Sequence, residues 1–175
     1  MKKLLLATTA VMMAGMAQAE EIKMGISLGF TGPLESMSPT MAAGAELAMK
    51  EVSDSGLLLD GTTIVPVRSD STCVDAAAAT AGVEKLITAD KVKGIVGGMC
   101  SGEATASLQN VAMPNGMVMI SPSATSPALS DLPDDGLFFR TSPSDARQGV
   151  VMTEILMEHG LKSVALTYTN NDYGK

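Results

Sequence analysis

Gly94-Ile95-Val96-Gly97-Gly98-Met99-Cys100-Ser101-Gly102, followed by Ala104, Leu108, Val111 and Ala112 at helical spacing, is the stretch that decides the fold. A short apolar strand runs out at Val96 and a glycine-rich turn follows. An amphipathic helix then starts, and it ends at Pro114, whose ring cannot continue it. Strand, tight turn and returning helix form the unit from which parallel sheets are built.

The same unit recurs on either side. Ile22, Met24, Ile26 and Leu28 alternate as one face of a strand, stopped by Gly29, Gly32 and Pro33. Ser38 followed by Pro39 predicts an N-cap with proline at the first helical position. Met41, Ala45, Ala48 and Val52 then predict the buried stripe of a helix over 39–54, ending before Gly56. A second strand is expected over 64–67, and Asp75 should cap a helix that buries Ala79, Val83, Leu86 and Ile87. A fourth strand covers 117–120.

Residues 121–142, rich in Ser, Pro and Asp with a short apolar run at 137–139, break this rhythm and read as a crossover. Ser142, Pro143 and Asp145 then open a helix with Val151, Met152, Ile155 and Leu156 inward and Gly160 as its stop. A further strand is expected over 164–168. The fold class is α/β, a parallel sheet covered by helices on both faces. One late helix and strand cannot bury their apolar faces alone, so a second lobe is expected to be truncated.

The N-terminus carries a separate message. Lys2 and Lys3 precede an apolar run over 4–17, and Ala17-Gln18-Ala19 supplies the small-x-small pattern before Glu20. This reads as a secretory signal peptide over 1–19, cleaved after Ala19, because the run is shorter than the roughly 20 apolar residues of a membrane span. The formal charge of -7 includes both lysines, so the mature chain is more acidic still. That balance argues against nucleic acid or an anionic membrane as partner. Trp is absent and aromatics are 3%, which disfavours stacking platforms for bases or sugars.

Two loops follow strand ends, where ligands bind in open α/β sheets. Gly97-Gly98-Met99-Cys100-Ser101-Gly102 offers backbone N–H groups and the Ser101 hydroxyl to an anion. Ser121-Pro122-Ser123-Ala124-Thr125-Ser126 adds carbonyls that can receive an ammonium. Both also have the bland reading of ordinary βα turns. Catalytic readings fare worse. Gly25-Ile26-Ser27-Leu28-Gly29 matches G-x-S-x-G but lies inside a strand, whereas a nucleophile elbow needs a strand-turn-helix. The one histidine, His159, sits beside the Gly160 helix stop. No P-loop is present, and two Cys with one His give no closed zinc site, so neither cofactor nor metal is expected.

Taken in order, Phe30-Thr31-Gly32-Pro33, Gly44-Ala45-Glu46-Leu47-Ala48, Gly97 to Ser101, Ile120-Ser121-Pro122-Ser123-Ala124-Thr125 and Asn171-Asp172-Tyr173-Gly174 resemble the leucine/isoleucine/valine-binding protein family of type I periplasmic binding proteins. The resemblance implies a periplasmic, monomeric, non-catalytic substrate-binding component that captures an amino acid or similar zwitterion for an ABC permease. It divides the mature chain into lobe one over 20–136, a crossover over 137–144 and the start of lobe two over 145–175. It further implies that Ser101 and Thr125 bind an α-carboxylate, that the Ser123 backbone, beside Ala124, accepts from an α-ammonium, and that Met99, Cys100 and Tyr173 line the pocket. Met37 stands where relatives often carry an aromatic residue, which bears on side-chain specificity. The acid that completes ammonium recognition is expected beyond Lys175. A disulfide between Cys73 and Cys100 is implied as well, against the alternative of two free thiols in an oxidising compartment. A receptor's ligand-sensing domain and a binder of amides or urea remain the alternatives in function.

Overall fold

A computed structural model describes residues 20–174. The signal-peptide reading falls on residues 1–19, outside the described residues. Five strands, β1 (Glu21–Leu28), β2 (Thr63–Asp70), β3 (Ile95–Gly97), β4 (Met119–Ser121) and β5 (Phe138–Arg140), form one sheet in the order β2-β1-β3-β4-β5, and every pairing is parallel. From β1 the chain first adds β2 on one side, then β3, β4 and β5 on the other. The reversal leaves a topological switch point between β1 and β3, the place where the loops after neighbouring strands part and open a crevice. The apolar run at 137–139 thus supplies most of a fifth strand.

Helices α1 (Ser38–Asp54), α2 (Ala76–Thr88) and α3 (Ser101–Ser107) follow β1, β2 and β3. Ile26 and Leu28 pack with Ala42 and Met49 of α1 on one face of the sheet. Val83 and Leu86 of α2 meet Ile95, Ala104 and Leu108 on the other. Gly25 makes that second contact possible, because a Cβ on it would lie 2.9 Å from Leu86 Cδ1. Asp75 caps α2 as expected, accepting from the N–H groups of Ala77 and Ala78. Ala79, Val83 and Leu86 are buried and Ile87 is partly so.

The first helix departs from expectation in two ways. Met37, not Ser38, is its N-cap, and the Ser38 hydroxyl donates instead to the Gly29 carbonyl at 2.5 Å. The buried stripe runs through Ser38, Ala42 and Met49, leaving Ala48 and Val52 exposed. After α3 the helical path continues as a π turn over Leu108–Ala112 and a 3-10 turn over Met113–Asn115. Pro114 therefore lies inside the last turn, and Gly116 in the left-handed region ends it.

A short helix, α4 (Ala128–Asp131), precedes β5, and α5 (Asp145–Glu158) follows it. Ser144 caps α5 by accepting from Ala146 N–H, the role expected two residues earlier of Ser142, whose hydroxyl donates to the Pro122 carbonyl. None of the α5 residues is buried: Met152 and Ile155 are exposed, Val151 and Leu156 only partly covered. Residues 164–168 are not a strand, and Val164, Leu166 and Tyr168 are exposed. A parallel strand needs a neighbour in register, and within the described residues none stands beside this segment.

Candidate functional site

The loops at the carboxyl ends of β1, β2, β3 and β4 enclose a cleft of about 480 Å³ at the switch point. One side is apolar, with Pro33, Leu34, Met37, Met41 and Val74. The other is the glycine turn from Met99 to Gly102, joined by Ser123 and Thr125 from the loop after β4. Thr169, Asn171, Asp172 and Tyr173 close a third side. An Asx turn presents Tyr173, since Asn171 Oδ1 accepts from the N–H groups of Tyr173 and Gly174. Of the residues singled out in the sequence, Met37, Met99, Cys100, Ser101, Ser123, Thr125 and Tyr173 come together here. Ala124 does not line the cleft. It is buried beneath the loop, where its N–H donates to Ser121 Oγ at 2.9 Å.

Each polar group on the floor has a defined state. Ser101 is buried, and its hydroxyl oxygen accepts from Ser126 N–H at 3.1 Å, which leaves the hydroxyl proton to donate elsewhere. Among the described residues nothing accepts from the Ser101 and Gly102 N–H groups. Thr125 Oγ1 donates to Asp145 Oδ2 at 2.9 Å, while Asp145 N–H donates to the Thr125 carbonyl. The Ser123 hydroxyl donates to the Met99 carbonyl at 2.7 Å and ties the two loops together. Ser121 does the same from below, donating to the Gly98 carbonyl at 2.6 Å.

A disulfide joins Cys73 to Cys100, with the two Cα atoms 5.3 Å apart, and both residues face the cleft. The loop bearing Cys73 is conformationally demanding, because Thr72 and Cys73 both adopt positive φ, at 55° and 69°. For a β-branched residue such as threonine this is unusual. Asp70 holds it by accepting from Thr72 N–H at 2.9 Å and from both the N–H and the hydroxyl of Thr31. Burial pushes the Asp70 carboxyl up, but these donors outweigh it and hold it below the ordinary carboxylate range.

Sequence reasoning missed Glu103, which is 2% exposed at the cleft floor. Its Oε1 accepts from Cys100 N–H and from Ser71 Oγ, each at 3.1 Å. Burial pushes its carboxyl up to about 7, against the smaller opposing pull of these donors and of Met99 N–H. A capping-box signature would have flagged it, but the pattern needs Ser or Thr where this chain has Cys100. Asp145 was missed as a partner of Thr125 because it read only as part of a helix start.

A doubly wound lobe with its crevice at the switch point, lined by donors on one wall and apolar side chains on another, defines a class of ligand-binding α/β modules. Within that class the chain belongs to the periplasmic binding protein family, whose model matches residues 21–175. It is 29% identical over 175 residues to a Leu/Ile/Val-binding protein of Citrobacter freundii, covering 99% of this chain and 46% of that protein. It is 30% identical over 171 residues to a leucine-, isoleucine-, valine-, threonine- and alanine-binding protein of Pseudomonas aeruginosa, covering 95% and 44%. Among solved structures, it resembles the branched-chain amino acid transporter substrate binding protein LivJ of Streptococcus pneumoniae in complex with isoleucine. That likeness has a TM-score of 0.71 and 31% identity, covering 79% of this chain and 38% of that one. A solute binding protein of an ABC transporter from R. palustris, in complex with 4-hydroxybenzoate, shares the fold at a TM-score of 0.75 and 21% identity, covering 89% and 40%. The chain spans about half the length of the curated relatives it matches, 46% for the first named.

Proposed function

We infer that this chain is the ligand-seizing first lobe, with the crossover and the beginning of a second lobe, of an exported substrate-binding protein that delivers a small amino acid to an ABC permease. The observation that carries this reading is the pairing of opposite polarities on one floor. Unpartnered N–H groups at Ser101 and Gly102, with the Ser101 hydroxyl, suit a carboxylate. The Ser123 carbonyl, to which nothing donates among the described residues, suits an ammonium. Asp145 reinforces the ammonium side. By accepting the hydrogen bond of the Thr125 hydroxyl it leaves the lone pairs of Oγ1 for a donor, so Thr125 serves the ammonium and not the carboxylate that the family resemblance implied for it.

Across from these groups, Pro33, Leu34, Met37, Met41 and Val74 offer an aliphatic wall without an aromatic ring. Leu, Ile or Val fits that surface, in keeping with what the relatives' names say they bind. The methionines there are adaptable in shape, so the wall tolerates several aliphatic side chains. The role is binding and not catalysis: His159 closes α5 and does not line the cleft, and Ser27 sits buried within β1. Location in the periplasm, action as a monomer and independence from any cofactor follow from the same reading.

Calorimetric titration of the full-length protein with L-leucine, L-isoleucine, L-valine and 4-hydroxybenzoate tests it. An aliphatic amino acid should bind, and Ser101→Ala should weaken it about thirtyfold, the cost of roughly 2 kcal/mol for a lost hydrogen bond to a charged group. Binding of 4-hydroxybenzoate alone, or an affinity unmoved by Ser101→Ala, overturns the assignment.

A further inference from the structure

We propose that Glu103 is a positioning residue that makes the cleft's affinity for an anionic ligand group depend on its own protonation, the neutral acid favouring capture and the carboxylate opposing it. This rests on the carboxylate-binding role assigned above to the Ser101 and Gly102 amides. Three features set Glu103 apart from an ordinary first-turn acid. It is buried behind the very turn whose amides face the cleft, and through Oε1 it fixes the Cys100 N–H and, by Ser71, the loop that carries the disulfide. Its second oxygen, Oε2, has no partner among the described residues. That oxygen also lies so close over Gly98 that a Cβ there would sit 2.5 Å from it, so only glycine admits the carboxyl at this depth.

Beyond the Cys100 and Met99 N–H groups and the Ser71 hydroxyl, the surroundings give a charge on this carboxyl little compensation. Ser27 of β1 and Ser107 of α3 are neutral and buried, and neither hydroxyl has a hydrogen-bond partner among the described residues. The β2–α2 loop contributes Ser71, and its Asp70 is turned toward Thr31 and Thr72. The α2 face is apolar, through Ala79, Val83 and Leu86, and its capping Asp75 is occupied by the N–H groups of Ala77 and Ala78. On the cleft side the nearby charge is another acid, Asp172, beside Gly102. No lysine or arginine pairs with Glu103 among the described residues. Burial accordingly raises its carboxyl to about 7, where a modest pH change alters its charge. A ligand carboxylate on the amides of the same turn adds one more negative charge close by. Binding therefore favours the protonated acid, and by linkage the protonated acid favours binding.

The test titrates L-leucine into the full-length protein at pH 5.5, 7 and 8.5, a range in which the ligand stays a zwitterion. 3-Methylbutylamine, which lacks the carboxylate but keeps its ammonium across this range, serves as control. Affinity for leucine should fall about tenfold or more from the lowest to the highest pH, the order expected for like charges a few ångströms apart in a protein. Titrations in two buffers of different ionisation enthalpy should show proton uptake on binding near pH 7.5. Glu103→Gln, which keeps the Oε1 acceptor, should hold near the acid-form affinity throughout, and 3-methylbutylamine should show no such slope. A wild-type protein that binds leucine with flat affinity and no proton uptake overturns this proposal alone. A wild-type slope that persists unchanged in Glu103→Gln does so as well. Failure of any aliphatic amino acid to bind removes the reading on which the proposal stands, and the proposal with it.

Discussion

Replacing Glu103 by glutamine should change how the protein's stability responds to pH, whatever the ligand. The folded state raises this carboxyl from an ordinary 4.5 to about 7, chiefly by burial. A group bound more tightly to its proton in the folded state stabilises the fold fully below the unfolded value and loses that contribution as pH climbs through the folded one. The window therefore runs from about pH 4.5 to about 7, and the stability lost across it is about 3 kcal/mol, at 1.36 kcal/mol for each tenfold change in proton affinity. Glutamine cannot ionise, so the variant lacks this decline. Its unfolding free energy relative to wild type should improve by about 3 kcal/mol between pH 4.5 and pH 8.5. Any fixed penalty from the buried amide appears equally at both ends and cancels. Urea denaturation of the ligand-free, full-length pair at several pH values measures the difference directly. Parallel stability profiles for wild type and variant would refute the reasoning, because they would mean that the carboxyl is solvated or paired in the folded protein.

Two further outcomes follow from the walls of the cleft. Cys73→Ser with Cys100→Ser opens a loop with a sequence separation of 27, and chain entropy puts the loss at about 3–4 kcal/mol; a denaturation midpoint unchanged from the oxidised parent would contradict it. Asp70→Ala removes the acceptor that serves Thr31 and Thr72 and should cost about 1–2 kcal/mol near neutral pH. Because these donors hold the Asp70 carboxyl below its ordinary range, its contribution is present above that range and fades as pH falls through the folded value. The gap between parent and variant should therefore close in acid, and a gap that widens there would refute the assignment.

The succession from β1 to β4 with the helices between them was legible because it is written in local periodicity, and the loops after β3 and β4 marked the site because ligands bind at the carboxyl ends of strands; β5, read as part of a crossover, and the strand expected over 164–168, which does not form, were not. What sequence reading misplaced was the buried face of α1, and the reason is chemical. A count of apolar residues favours Ala48 and Val52, yet the covered stripe passes through two serines. Ser38 is buried because its hydroxyl finds the Gly29 carbonyl, and Ser53 is half-buried because its own donates to Met49 and accepts from Ile64 N–H. A satisfied hydroxyl is nearly as easy to cover as a methyl group, and periodicity cannot tell which hydroxyls are satisfied. The same limit hid Glu103 and the partner of Thr125. Their contacts join residues 32 and 20 positions apart, Ser71 with Glu103 and Thr125 with Asp145, and no short motif spans such distances. The cleft is thus held by small polar residues from four loops, each unremarkable in sequence. A substitution such as Ser121→Ala, conservative by composition, therefore acts on the floor's geometry and not on its chemistry, whereas Ser71→Ala also removes a donor that opposes the raised Glu103 carboxyl.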